Sequence, residues 1–193
     1  MLELFAITSF ILFLSGSMPY VLSVKRGQTN PHRMSVYIFL ILGFLNVATQ
    51  LAAGATLSLI YPFFTLAINI FILLLMTKSE IGRIRPIDIF SLAASLVIIV
   101  LWGLTESAAL AIVLLILVNI IAKVLVIKKV YEYPRSEPIK TYLFWIAGSF
   151  FTMLSVGSTE WALLLPAFNN IVTLSVIVFT MVVMRTGKLK KKN

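Results

Sequence analysis

The chain has no cysteine and only one histidine, His32. Disulfide frameworks, thiolate metal sites, cysteine nucleophiles and His-based metal motifs are thereby excluded. Acidic residues are also scarce: seven in 193 positions, against sixteen Lys and Arg, for a formal charge of +9. No acid falls in the middle of an apolar run, and no Gly-x-Ser-x-Gly elbow occurs. Membrane-embedded hydrolysis therefore lacks its residues, and no enzymatic activity, metal or cofactor is expected. Charged residues make up 12% of the sequence, about half the share of an ordinary soluble domain. Hydrophobic residues fill 60% of it instead, and the mean hydropathy is +1.04.

The apolar residues come in long runs. Their positions predict spans at Leu2–Val24, Met34–Ala52, Thr56–Met76, Ile87–Leu104, Ala108–Ile127, Tyr142–Val156 and Trp161–Met184. In hydrocarbon every backbone N–H and C=O must be bonded internally, and continuously apolar runs of this length fit helices rather than alternating barrel strands. The expected fold class is therefore all-α integral membrane, with seven transmembrane helices. The first run carries Glu3 and no Lys or Arg ahead of it, unlike a basic signal-peptide start, so it is read as a helix of the mature protein. A retinal protein is excluded because Trp161–Met184 contains no Lys for a Schiff base.

The connections alternate in charge. Lys25, Arg26, His32 and Arg33 lie in the first, Lys78, Arg83 and Arg85 in the third, and Lys128, Lys129, Arg135 and Lys140 in the fifth. The tail holds Arg185, Lys188, Lys190, Lys191 and Lys192, and Lys123 is expected to snorkel to the same side. The opposite side has only Glu3, Glu106 and Glu160. The positive-inside bias then places a multi-pass protein in the cell membrane with its N-terminus outside and its C-terminus cytoplasmic. This sidedness assigns the positive charge to topology and anionic lipid, not to nucleic acid.

The two ends of the chain resemble each other at a shift of 105 residues: Tyr37, Phe39, Ile41 and Gly43 match Tyr142, Phe144, Ile146 and Gly148. Lys25-Arg26 and Lys128-Lys129, and Pro62 and Pro166, pair at slightly different shifts. Helix, basic Pro-containing loop, short helix, tight turn and Pro-bearing helix occur twice, with one plain helix between. The expected organisation is thus 3+1+3: a first three-helix repeat over residues 1–78, a linker loop and helix over 79–106, a second repeat over 107–185 and a basic tail over 186–193. One linking helix inverts the chain once, which makes the repeats parallel, an arrangement typical of carriers with a site at the repeat interface. Duplication without transport would leave the same pattern.

The stretch Pro19-Tyr20-Val21-Leu22-Ser23-Val24-Lys25-Arg26-Gly27-Gln28-Thr29-Asn30-Pro31-His32-Arg33-Met34-Ser35 resembles the PQ-loop motif of the PQ-loop and SWEET superfamily. In that motif a Pro-Gln pair near the end of the first helix precedes an apolar stretch, basic residues and a Ser that opens the second helix. Tyr20 stands where Gln is usual, and Ala122-Lys123 occupies the Pro-Gln position of the second repeat. The resemblance implies a small membrane carrier. SWEET sugar carriers show Asn, Trp four later, then Tyr-Gly in the second helix, where this chain has Asn46, Gln50 and Ala53-Gly54. The second repeat has Phe151, Ser155 and Gly157 in the corresponding places. Phe63 and Ala167 follow the prolines at positions where SWEETs carry Asn. With the stacking platform for a sugar ring absent, the superfamily's other small solutes, including amino acids, stand beside sugars.

Polar groups deep in a membrane are expensive unless they face protein or water. Asn46, Gln50, Asn69, Asn119, Asn169 and Asn170 are therefore the candidate solute-binding residues, with donors and acceptors for hydroxyl, carboxylate or ammonium groups. Their alternative role is hydrogen bonding between helices, at about 0.6 kcal/mol per contact. Trp145 is a candidate for gating or lining the cavity, or for core packing. Trp102 and Trp161 read as interface anchors. Pro19, Pro62 and Pro166 are candidate hinges or plain kinks.

The function expected from these residues is a facilitator, or uniporter, moving a small polar solute such as a sugar or amino acid by alternating access, since no intramembrane acid offers a proton relay. The alternative is a non-transporting membrane protein of the same fold acting as a signalling or assembly component. The expected partners are the lipid bilayer and the solute. Self-association into homo-oligomers stays open.

Overall fold

A computed structural model of the chain describes residues 1–52, 60–76, 86–104, 108–156 and 161–190. Among them are seven helices and no strand: α1 Leu2–Lys25, α2 Arg33–Ala52, α3 Ile60–Leu75, α4 Pro86–Gly103, α5 Ala108–Glu132, α6 Ile139–Ser155 and α7 Trp161–Lys190. Each falls on one of the seven apolar runs. α5 and α7 extend past the runs, to Glu132 and Lys190, because the Lys and Arg that end a hydropathic stretch are good helix formers. α5 stops only ahead of Tyr133-Pro134, where the residue before a proline is steered away from helical geometry.

Among the described residues, two helices are long and apolar enough to cross a membrane: α1, and α7 over Leu164–Gly187. α2, α3 and α4 carry shorter apolar stretches, Arg33–Ala48, Phe63–Leu75 and Pro86–Leu101.

The helices gather into two compact units, one of Met1–Thr29 with Val126–Asn193 and one of Asn30–Leu125. In the first, α6 packs on both α1 and α7. Small residues bring α1 and α6 together, as is usual where backbones approach closely in membranes. A Cβ on Gly16 would lie 3.0 Å from Phe144 Cβ and 3.1 Å from the Thr141 carbonyl oxygen, and one on Gly148 would lie 3.0 Å from the Phe13 ring. Hydroxyls close the same seam. Ser9 donates to the Gly148 carbonyl at 2.9 Å and lies 2.7 Å from the Thr152 hydroxyl, while Thr141 donates to the Gly16 carbonyl at 3.2 Å. Phe5 and Phe151 meet toward the far end.

In the second unit α2 packs on α3 and α4. Ile38 and Leu42 of α2 share a buried cluster with Val118, Ala122 and Leu125 of α5, with Ile87, Leu92 and Ile98 of α4 against it. Gly43 lets Leu66 of α3 approach α2. His32 precedes the first turn of α2 and caps it: its carbonyl accepts from Val36 N–H and its Nδ1 accepts from Ser35 N–H at 3.4 Å. Its Nε2 lies 3.4 Å from Asp88 Oδ1 at the start of α4. With Nδ1 accepting, the proton belongs on Nε2, facing the carboxylate. Lys123, expected to snorkel, is a buried residue, 5% exposed.

Candidate functional site

A polar site lies in the first unit, where α1 ends and the α5–α6 connection begins. Gly27 ends α1 with φ +67°, the left-handed conformation that glycine adopts without a Cβ penalty. Gly27 N–H bonds the Val24 carbonyl at 3.0 Å and Gln28 N–H bonds the Ser23 carbonyl at 2.9 Å, the paired bonds of a Schellman cap. The cap turns Gln28 and Thr29 back along the helix, and the Ser23 and Thr29 hydroxyl oxygens come to 2.7 Å.

Across from this cap, Ser136 N–H bonds the Tyr133 carbonyl at 3.0 Å, with Pro134 in the second position, where its fixed φ favours a turn. The turn delivers Glu137, 3% exposed, into a ring of polar partners. Lys129 Nζ donates to its Oε1 at 2.5 Å, and the Tyr20 hydroxyl donates to the same oxygen at 3.4 Å. Burial pushes the Glu137 carboxyl above its ordinary value of 4.5, while the Lys129 ammonium and the phenols of Tyr20 and Tyr142 act in the opposite direction. Arg185 of α7 locks the turn, with Nε donating to the Pro134 carbonyl at 2.8 Å and Nη2 to the Glu137 carbonyl at 2.7 Å. The cap, turn and arginine surround an open cleft of about 340 Å³ lined by Ser23, Gln28, Thr29, Arg135, Glu137, Pro138 and Arg185.

The residues expected from sequence to bind solute are distributed over both units. Asn46, Asn69 and Asn119 belong to the second, and Trp145, Asn169 and Asn170 to the first. Asn46 is exposed, Asn69, Asn119 and Asn170 are half-buried, and Asn169 is buried. Asn69 donates to the Thr65 carbonyl of its own helix at 2.8 Å. Trp145 sits in the α1–α6 seam. Its indole N–H donates to Ser17 Oγ at 3.1 Å, and its ring packs on Tyr20 and Tyr142 with centroids 5.5 and 5.2 Å away. Pro19 and Pro166 lie exposed inside α1 and α7. Gln50 is on α2 and Pro62 in the first turn of α3, but their side chains lie outside the described residues, as do those of Trp102 and Trp161 and the acids Glu106 and Glu160.

The Glu137 ring was not among the sequence-derived candidates, although one signal for it exists. Tyr20 is the residue that replaces the Gln of the Pro-Gln pair, and its hydroxyl is what reaches Glu137. No protein-family model matches the chain, and no curated protein or solved structure matches it. The described residues thus define a helical protein, two of whose helices have the length and apolar composition to cross a membrane.

Proposed function

We infer that the chain is a multi-pass carrier of the PQ-loop and SWEET-like kind: seven spans in a 3+1+3 arrangement, N-terminus outside and C-terminus cytoplasmic, facilitating movement of a small polar solute such as a sugar or amino acid. The observation that carries this reading is the crosswise make-up of the two units. If α1, α2 and α3 correspond to α5, α6 and α7, then α1, α6 and α7 of the first unit correspond to α5, α2 and α3. Of these, α2, α3 and the larger part of α5 lie in the other unit with α4, while the end of α5 from Val126 lies in the first. The pairing of α1 with α6 has its counterpart in the cluster shared by α5 and α2, and that of α6 with α7 in that of α2 with α3. A similar make-up of the two units supports an internally repeated chain, the architecture on which parallel-repeat carriers are built. The amides provide neutral donors and acceptors suited to hydroxyl or zwitterionic solutes.

One observation favours the second reading, a non-transporting signalling or assembly component: Trp145 has its ring packed and its N–H bonded, as a structural residue would. Counterflow in proteoliposomes preloaded with pooled sugars, polyols and amino acids separates the two. A carrier accelerates exchange of one solute class, with no response to an imposed pH gradient, and loses most of that exchange in the double variant Asn46→Leu, Asn69→Leu. Exchange of no solute in the panel overturns the carrier reading.

A further inference from the structure

The cleft beside Glu137 collects positive charge. Arg135 and Arg185 both line it, close enough for their charges to repel. The one acid in the lining, Glu137, already faces the Lys129 ammonium. Arg185 is fixed in place, because two of its donors hold the carbonyls of Pro134 and Glu137. A guanidinium has five donors in a rigid fork, so one anchored in this way still presents hydrogen-bonding edges. Thr29 adds a hydroxyl that shares a 2.7 Å contact with the Ser23 hydroxyl, and Gln28 adds an amide. Two guanidiniums, a hydroxyl and an amide around an open space suit a tetrahedral oxyanion, which arginine forks grip bidentately.

We propose that this cleft binds a phosphate-bearing anion, the headgroup of an anionic phospholipid. The anion site stands on the cleft itself; the lipid source rests on the proposed orientation, in which the cleft lies at the cytoplasmic headgroup level, where acidic lipids concentrate. The neighbouring surface is suited to acyl chains. Leu22, next to Ser23, is 48% exposed, and Val182, one turn before Arg185, is 45% exposed. A lipid whose phosphate lies between the arginines can run its chains along these faces of α1 and α7.

The test uses the purified full-length chain in a neutral detergent, with thermal unfolding followed by tryptophan emission. The probes are dihexanoyl phosphatidylglycerol, dihexanoyl phosphatidylcholine and inorganic phosphate alone. The phosphatidylglycerol is expected to raise the midpoint saturably, the phosphatidylcholine to have little effect, and phosphate to act only weakly, since a ligand that binds the folded state stabilises it by mass action. Arg135→Gln removes one charged fork from an exposed loop residue and is expected to weaken apparent phosphatidylglycerol affinity about tenfold, while the ligand-free midpoint holds or rises as the repulsion with Arg185 is relieved. Lys140→Gln, an exposed cation outside the cleft, is expected to leave affinity unchanged. If inorganic phosphate stabilises as strongly as the lipid and displaces it, the anion site stands and the lipid source is overturned in favour of a soluble phosphate ester. If the two lipids act alike, the cleft does not select an anionic headgroup, and if Arg135→Gln and Lys140→Gln weaken binding equally, the cleft is not the anion site; either result overturns the proposal. Because the readout is binding, its failure leaves the carrier reading intact, and a chain that moves no solute can still pass it.

Discussion

Lys129 and Glu137 are a buried pair whose partners depend on each other, with side chains 10% and 2% exposed. Removing one charge strands the other, at a cost of about 3–5 kcal/mol, whereas removing both together is often close to neutral. Lys129→Met alone is therefore expected to lower the unfolding midpoint sharply, and Lys129→Met with Glu137→Leu to recover most of the loss, as read by tryptophan emission in detergent. The same carboxyl sets a pH dependence. Its folded-state pKa lies above 4.5, with burial as the leading cause, so the folded site retains a proton that the unfolded chain releases. The stability this contributes is complete below pH 4.5 and is lost as pH rises through the shifted value. Unfolding midpoints measured from pH 4 upward should fall over that window, and Glu137→Gln should flatten the slope. Gly27 makes a simpler demand: at φ +67° a β-branched side chain is strained, and Gly27→Val is expected to cost about 1–2 kcal/mol, read in the same assay.

At the scale of the helix pair, the α1–α6 seam can be tested covalently because the chain contains no cysteine. The Ser9 and Thr152 hydroxyl oxygens are 2.7 Å apart, within the reach that side chains of a disulfide require. Ser9→Cys with Thr152→Cys should cross-link on mild oxidation and shift the gel mobility of the monomer. Ile11→Cys, exposed on the same helix, should not do so with Thr152→Cys. The helices themselves were legible in the sequence because hydropathy and helix length report on the same solvent. Their partners were not. Gly16 and Gly148 look like any small residues of a membrane helix, and only the folded pair shows that Thr141, Phe144 and Phe13 occupy the space a Cβ would need. From sequence Trp145 is equally cavity-lining or packed, because its surroundings, Ser17, Tyr20 and Tyr142, come from a helix more than a hundred positions away as well as from its own. Glu137 escaped notice because a carboxylate in a basic loop looks solvated until Lys129, Tyr20 and Arg185 converge on it.

For the molecule as a whole, the proposed topology makes Glu3→Cys accessible to a membrane-impermeant thiol reagent in intact cells and Lys192→Cys accessible only after permeabilisation. Labelling of both from the same side would overturn the odd number of spans. The crosswise make-up of the units bears on synthesis as well. Ser9 and Gly148 are 139 positions apart, and at about 5–20 residues per second the second is made roughly 7–28 s after the first. During that interval α1 has no α6 to pack on. It has the length and apolar composition to cross a membrane, and hydroxyls such as Thr8, bonded to the Leu4 carbonyl of its own helix, need no partner from elsewhere. The seam between α1 and α6 is then closed late, by a helix arriving at one that is already waiting. A substitution that weakens this seam would yield a chain that enters the membrane normally and fails afterwards, left open to proteolysis within the bilayer instead of being rejected at its surface.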